Sequence, residues 1–444
     1  MKDLTVGKEG KLIFQFAMPM VVGNILQQLF SIADTIIVGK FIGKEALAGV
    51  GASFPIIYTL IAFVIGIGSG ATILIAQYFG AKDMNRVQRS IETIFIFLFA
   101  ASIIVSILGI TFSREIFEVL NTSPDVMPEA IAYFNVYMIG TVAFFGFNSI
   151  SSILRGLGDS RTPLLFLVIA TVVNIVLCLT FVVLFKWGVA GAAFATVIAH
   201  FVAFISGLIY LKKRNSFFKL NLLKLRFDKE IFYQSLKIGL PTGFQQTFIA
   251  LGLMALIRII NNFDTSVLAA YSAASKIDSL ASMPALNFAS ALSAFVGQNI
   301  GANKIERVKK GLYTTMLMST LFSLLIMAIT FTWGDKLMQM FITTNEPEVI
   351  QHGVKYLVIV SSFYVVFSAM FIYHGALRGA GDTIFPMVIS LFSMWLIRIP
   401  LSVWLSKHYG SDGIWWSIPI GWSIGFVITL IYYNTGRWKK RGLK

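Results

Sequence analysis

Twelve long apolar runs, near 12–39, 48–79, 87–112, 127–154, 163–185, 189–211, 232–262, 266–299, 308–333, 349–377, 383–406 and 413–435, constrain this chain more than any other feature. A helix that crosses a hydrocarbon core needs roughly 20 mostly apolar residues. The chain is 57% hydrophobic and only 13% charged, with a mean hydropathy of +0.79, whereas a soluble domain carries roughly a quarter charged residues. Membrane strands would show short alternating segments, so continuous runs of this length predict helices. The expected fold class is an all-α polytopic membrane protein. The first run, after MKDLTVGKEGK, is much longer than the apolar region of a secretory signal and has no clear small-residue cleavage site, so it reads as a retained span. The single cysteine, Cys178, excludes a disulfide within the chain and a cysteine-based metal site.

The net charge of +15 raises the question of nucleic acid, and its distribution answers it. With the amino terminus placed in the cytoplasm, the inner loops hold 25 of the 36 Lys and Arg. The outer loops hold only Lys40, Lys44, Arg114, Lys186, Lys336, Lys355 and Lys407. This is the positive-inside asymmetry. It accounts for the basic balance through topology and contact with membrane lipids, removes the reason to invoke nucleic acid, and puts both termini on the cytoplasmic side of the plasma (cytoplasmic) membrane.

The sequence also repeats itself. ILRGLGDSRTP at 153–163 returns as ALRGAGDTIFP at 376–386, AQYFGAKDMNRV at 76–87 as GQNIGANKIERV at 297–308, and Pro19 as Pro241, all at nearly one spacing. Six spans per half give both halves the same orientation, so two lobes related by a pseudo-two-fold axis along the membrane normal are expected, at 1–211 and 231–444. The basic stretch 212–230 is their cytoplasmic linker, either solvated or a short interfacial helix. The repeated RG.GD....P motif reads first as a tight turn, with glycine for positive φ, a charged cap and proline opening the next helix. Arg155, Asp159, Arg378 and Asp382 are additionally candidates for a cytoplasmic gate, pairing across the inner mouth.

Ionisable groups inside a membrane are costly and mark pathways or relays. Asp34, in the run SIADTIIVG, lies about two turns from the outer end of span 1, with Gln27 seven residues earlier on the same helical face. In span 5, Asn174 and Cys178 share a face one turn apart; in span 6, Thr196 and His200 do the same. One acid with amide and hydroxyl groups at one depth can bind a proton or a small cation. Desolvation disfavours the charged form of a carboxyl, which suits Asp34 to proton exchange. His200 lies deeper and reads as a hydrogen-bonded structural histidine. In the second half Leu256 stands where Asp34 would be, and the charges are Arg258, Lys276, Asp278 and Arg398. A charge-balanced cluster around Asp278 is expected, with Lys276 and Asp278 finding partners on other helices because residues two apart do not share a face. Gln245, Gln246 and Asn287 are further candidates to line a substrate cavity, and the many Phe and Met residues suit an adaptable greasy site.

The stretches ADTIIVGKFIGKEALAGVGAS (33–53), AQYFGAKD (76–83), LRGLGDSRTP (154–163), NIVLC (174–178), GVAGAAFAT (188–196) and LRGAGD (377–382) together resemble the multidrug and toxic compound extrusion family over essentially the whole chain. The resemblance implies a twelve-helix, two-lobed transporter that is not an enzyme and needs no cofactor. It would expel small amphipathic, often cationic compounds by alternating access, driven by inflow of protons or sodium ions, and act as a monomer. It also implies that Asp34 is the coupling-ion residue and that Asn174 and Thr196 belong to its site. Cys178 stands where the family often has an aspartate. One carboxylate is a poorer ligand set for a hard cation than two, which leans the coupling toward protons, with sodium at Asp34 as the alternative. A lipid-linked oligosaccharide or lipid flippase of the same superfamily is the nearest rival reading, kept open by Arg258, Lys276 and Arg398. His200, His352, His374 and His408 fall on separate segments without metal-ligand or nucleophile spacing, which argues against an embedded enzyme.

Overall fold

The computed structural model describes residues 2–214, 225–342 and 346–440, with no side-chain description at 60–63, 65, 214 and 440. Most of the expected linker 212–230 therefore lies outside the described residues. Among the described residues every regular element is a helix. The first half contains α1 (Glu9–Phe41), α2 (Lys44–Gly80), α3 (Met84–Thr111), a short α4 (Ser113–Val119), α5 (Met127–Ile139), α6 (Thr141–Gly156), α7 (Arg161–Leu179) and α8 (Gly188–Arg214). The second contains α9 (Lys229–Ile260), α10 (Thr265–Gly301), α11 (Ile305–Gln339), α12 (Pro347–Ser361), α13 (Tyr364–Gly379), α14 (Ile384–Leu391), α15 (Ile399–Tyr409) and α16 (Ser411–Asn434).

The sequence predicts twelve spans, and two of them are bent in the structure. Among the described residues nine helical segments are long and apolar enough to cross a membrane. Spans 4 and 10 are instead bent pairs, α5 with α6 at 50° and α12 with α13 at 49°. The remaining predicted run, 48–79, is α2, a helix of 37 residues. Spans 5 and 11 carry wider π-helical turns at Thr180–Leu184 and Phe392–Arg398, a local loosening that sequence periodicity does not report.

The chain forms two compact units: residues 22–243 with Lys2, and residues 3–21 with 244 onward. The divisions inside α1 and α9 fall two residues past Pro19 and Pro241, where proline removes a ladder hydrogen bond. In unit 2 the segment leading into α1 and its first residue are tied down by named bonds. Leu4 N–H donates to Gln298 Oε1 at 2.8 Å, Asn299 Nδ2 to Leu4 O at 3.2 Å, and Arg307 pairs with Glu9 at 2.9 Å. In unit 1 the segment before α9 is held the same way, Arg226 N–H donating to Glu92 Oε2 and Asp228 N–H to Thr93 Oγ1, each at 3.1 Å. Within unit 1, α2 and α9 cross at a glycine pair on each helix, Gly66 and Gly70 against Gly239 and Gly243, where backbones touch directly.

The repeated turn forms twice. Gly158 at φ 80° and Gly381 at φ 89° close α6 and α13 in the left-handed region. Asp159 N–H reaches Leu154 O at 2.8 Å and Asp382 N–H reaches Leu377 O at 2.9 Å, the six-to-one bond of a glycine-terminated helix. Pro163 and Pro386 then fall in the first turn of α7 and α14, where a missing N–H costs nothing.

Candidate functional site

Three helices of unit 1 converge on Asp34. α1 carries the acid, α7 carries Asn174 and Cys178, and α8 carries Thr196 and His200. Their surroundings are apolar: Ile37, Val38, Ala46, Cys178, Val182, Val189, Ala192 and Ala195 form one buried cluster. Within it the polar groups form a directed chain. Asn174 Nδ2 donates to Thr196 Oγ1 at 3.1 Å, and Thr196 Oγ1 donates to Asp34 Oδ2 at 3.1 Å. Cys178 and the α5 residues Tyr133 and Tyr137 lie near enough to feel the charge of this carboxyl.

Two acceptors in this pocket are buried without a donor, Asp34 Oδ1 and Asn174 Oδ1. Orphaned acceptors are costly and uncommon in folded proteins, and here both sit beside one acid. A proton taken up by Asp34 would turn one of these acceptors into a donor. Among the described residues no group of three or more His, Cys, Asp or Glu is placed to hold a metal ion, so oxygens of Asn174 and Thr196 would have to complete any cation shell.

His200 Nδ1 lies 2.8 Å from Thr196 O, which can only accept, so this nitrogen carries the proton. Phe30, Phe144 and Phe147 surround the ring edge-on. That is the setting of a histidine fixed by packing. Gln27 is exposed and the structure does not bring it to Asp34.

In unit 2 the expected charge cluster does not form. The Asp278 carboxylate is held by two tyrosine hydroxyls: Tyr364 donates to Oδ1 at 2.6 Å and Tyr356 to Oδ2 at 3.3 Å. These partners come from α13 and α12, so one acid bridges both arms of the bent pair. Arg398 is near enough to feel the Asp278 charge, yet its Nε is buried without a partner and its terminal nitrogen contacts Met394 Sδ at 3.6 Å. Arg258 and Lys276 are exposed. Leu256, the counterpart of Asp34, is a fully buried core residue. Gln245 is buried, donating to Ser390 Oγ at 2.5 Å, and Asn287 donates to Met283 O at 2.8 Å. Gln246 is half-buried.

At the repeated turns arginine and aspartate do not pair. Asp159 accepts from Arg161 N and Thr162 N at 3.2 and 3.0 Å, from Thr162 Oγ1 at 2.7 Å and from Tyr210 at 3.1 Å. Asp382 accepts from Tyr432. Arg155 reaches only Ser152 Oγ at 3.4 Å, and Arg378 is half-buried. Asp159, directly after the helix-ending glycine, caps the next helix at short range, and that local bond forms in place of an ion pair. Tyr210 and Tyr432 were not singled out from sequence, although their spacing matches the internal repeat.

Comparison with known proteins agrees with this architecture. The MatE family model matches residues 19–180 and 241–404. The Bacillus subtilis (strain 168) "Probable multidrug resistance protein YpnP" is 30% identical over 98% of this chain and 97% of its own. The Thermotoga maritima "Probable multidrug resistance protein NorM" is 27% identical, covering 98% of this chain and 94% of its own. A solved multidrug resistance MATE family transporter in an outward-facing conformation shares the fold, with a TM-score of 0.92 and 23% identity over 99% of both chains. The chain belongs to the MatE family of multidrug efflux transporters.

Proposed function

We propose that the protein exports small amphipathic, often cationic compounds across the cytoplasmic membrane in exchange for protons, with Asp34 as the residue that takes the proton. The observation that carries this reading is the donor chain from Asn174 through Thr196 to Asp34, beside two unpaired acceptors. One added proton supplies the donor those acceptors lack. With Cys178 adjacent to the only carboxylate in the pocket, a sodium ion would find fewer hard oxygens than it prefers.

In the proposed cycle an ionised Asp34 favours the drug-bound, outward-open state. A proton entering from outside neutralises the acid, the helices around Asn174 and Thr196 repack, and the drug is released. Coupling of this kind requires that proton and drug have different affinities for the two states. Arg155 and Arg378, without carboxylate partners at their own turns, are the cations proposed to close the cytoplasmic side. The chain works as a monomer with both termini in the cytoplasm. Asp34→Asn tests the assignment: efflux should be lost while the protein stays folded in the membrane, and retained gradient-driven efflux would sink it. A second reading, a lipid-linked oligosaccharide or lipid flippase, is favoured by Arg258 and Lys276, both of them exposed.

A further inference from the structure

The corner between α15 and α16, in unit 2 and far along the chain from Asp34, holds a cavity of about 390 Å³ lined by Leu405, Tyr409, Asp412, Gly413, Trp416 and Ile420. Its size falls within the range of small-molecule sites, roughly 300–1,000 Å³. Gly413 lets the two helices meet here, since a Cβ would sit 2.4 Å from Leu405 O. The lining is mostly apolar, with the Tyr409 hydroxyl and the Trp416 indole N–H as polar tips and Asp412 as its one charged group. Asp412 Oδ2 lies 3.2 Å from Lys355 Nζ of α12, and Oδ1 is shielded from water with no donor. A carboxylate can accept about four hydrogen bonds and an ammonium can donate three. Asp412 and Lys355 therefore each keep capacity beyond their mutual contact.

We propose that this cavity binds a phospholipid whose headgroup carries both a phosphate and a primary ammonium, phosphatidylethanolamine being the type. The side-by-side acid and base match such a headgroup, its ammonium going to Asp412 and its phosphate to Lys355. Trp416 and Tyr409, 44% and 67% exposed, stand at the rim, as aromatic residues do at the membrane–water boundary. Leu405 and Ile420 give the upper acyl chain an apolar wall. The turn joins the last two spans, so it lies at the leaflet opposite the basic loops. The same charges select against other occupants. An anionic headgroup has no cation to offer Asp412, a lone lipophilic cation meets Lys355, and a quaternary ammonium has no N–H to donate.

The test is native mass spectrometry of the full-length protein titrated with phosphatidylethanolamine, phosphatidylcholine or phosphatidylglycerol of identical chains. Wild type should retain phosphatidylethanolamine at about tenfold lower concentration than the other two, the worth of about 1.4 kcal/mol. Asp412→Asn and Lys355→Gln, both at half-exposed positions, should each abolish that preference. A brominated acyl chain on the same lipid should quench wild-type fluorescence more than that of Trp416→Phe. Equal retention of the three lipids by wild type, a preference that survives Asp412→Asn, or occupancy by tetraphenylphosphonium with no lipid preference would each overturn the proposal.

Discussion

Replacing Gly66 with alanine tests whether the α2–α9 crossing is as close as it appears. An added Cβ would lie 2.3 Å from Gly243 Cα, 2.4 Å from Gly243 N and 3.2 Å from Gly239 O. Carbon atoms rest about 3.5–4.0 Å apart, so the helices must separate by roughly 1.5 Å at this point. All three neighbours are backbone atoms, which cannot swing aside as a side chain would. Overpacking costs about 1–3 kcal/mol, and this case belongs at the upper end. Alanine returns about 1 kcal/mol of helix propensity, leaving a net loss of about 2 kcal/mol. Gly51, in the same helix, is the control, because nothing lies within 4 Å of its added Cβ. There only the propensity gain remains, so Gly51→Ala should stabilise by up to about 1 kcal/mol. Thermal unfolding of the detergent-purified proteins, followed by fluorescence-detected size exclusion, should rank Gly51→Ala above wild type and wild type above Gly66→Ala. A Gly66→Ala protein that melts with or above wild type would refute the packing argument.

Thr196→Val keeps the shape but removes the donor to Asp34 and the acceptor for Asn174. The loss of a buried partner costs about 1–3 kcal/mol, and efflux by reconstituted protein should fall about tenfold or more with expression retained; wild-type efflux would show that the donor chain is not used. Tyr432→Phe leaves the buried Asp382 without that hydroxyl while the stack on Phe385 persists. Its unfolding midpoint should drop by an amount equivalent to about 1–3 kcal/mol, and an unchanged midpoint would mean the bond is not formed.

The helices, their order and the twofold repeat were readable because a membrane span writes itself as a long apolar run and a repeat writes itself as spacing. The turn at Gly158 was readable for the same reason, since glycine before a cap and a proline leaves few conformations. Lys82 and Asn303 show where this stops. They occupy equivalent left-handed positions at φ 60° and 56°, yet only asparagine advertises it. The grouping of Asp34, Asn174, Cys178 and Thr196 followed from depth along three helices, which is nearly a geometric quantity. The tyrosines around Asp278 were missed because a tyrosine in an apolar run looks like packing, and only the folded bend between α12 and α13 brings two hydroxyls to one acid. Gln27 marks a different boundary: sharing a face with Asp34 places it on a line and does not decide what covers that line.

The central claim is that Asp34 takes up the coupling proton. Efflux of a fluorescent cation should be measured from proteoliposomes under an imposed proton gradient or an imposed sodium gradient, for wild type and Asp34→Asn. Export driven by the proton gradient and lost in Asp34→Asn is the expected result. Export driven only by sodium, or proton-driven export that survives in Asp34→Asn, would contradict it.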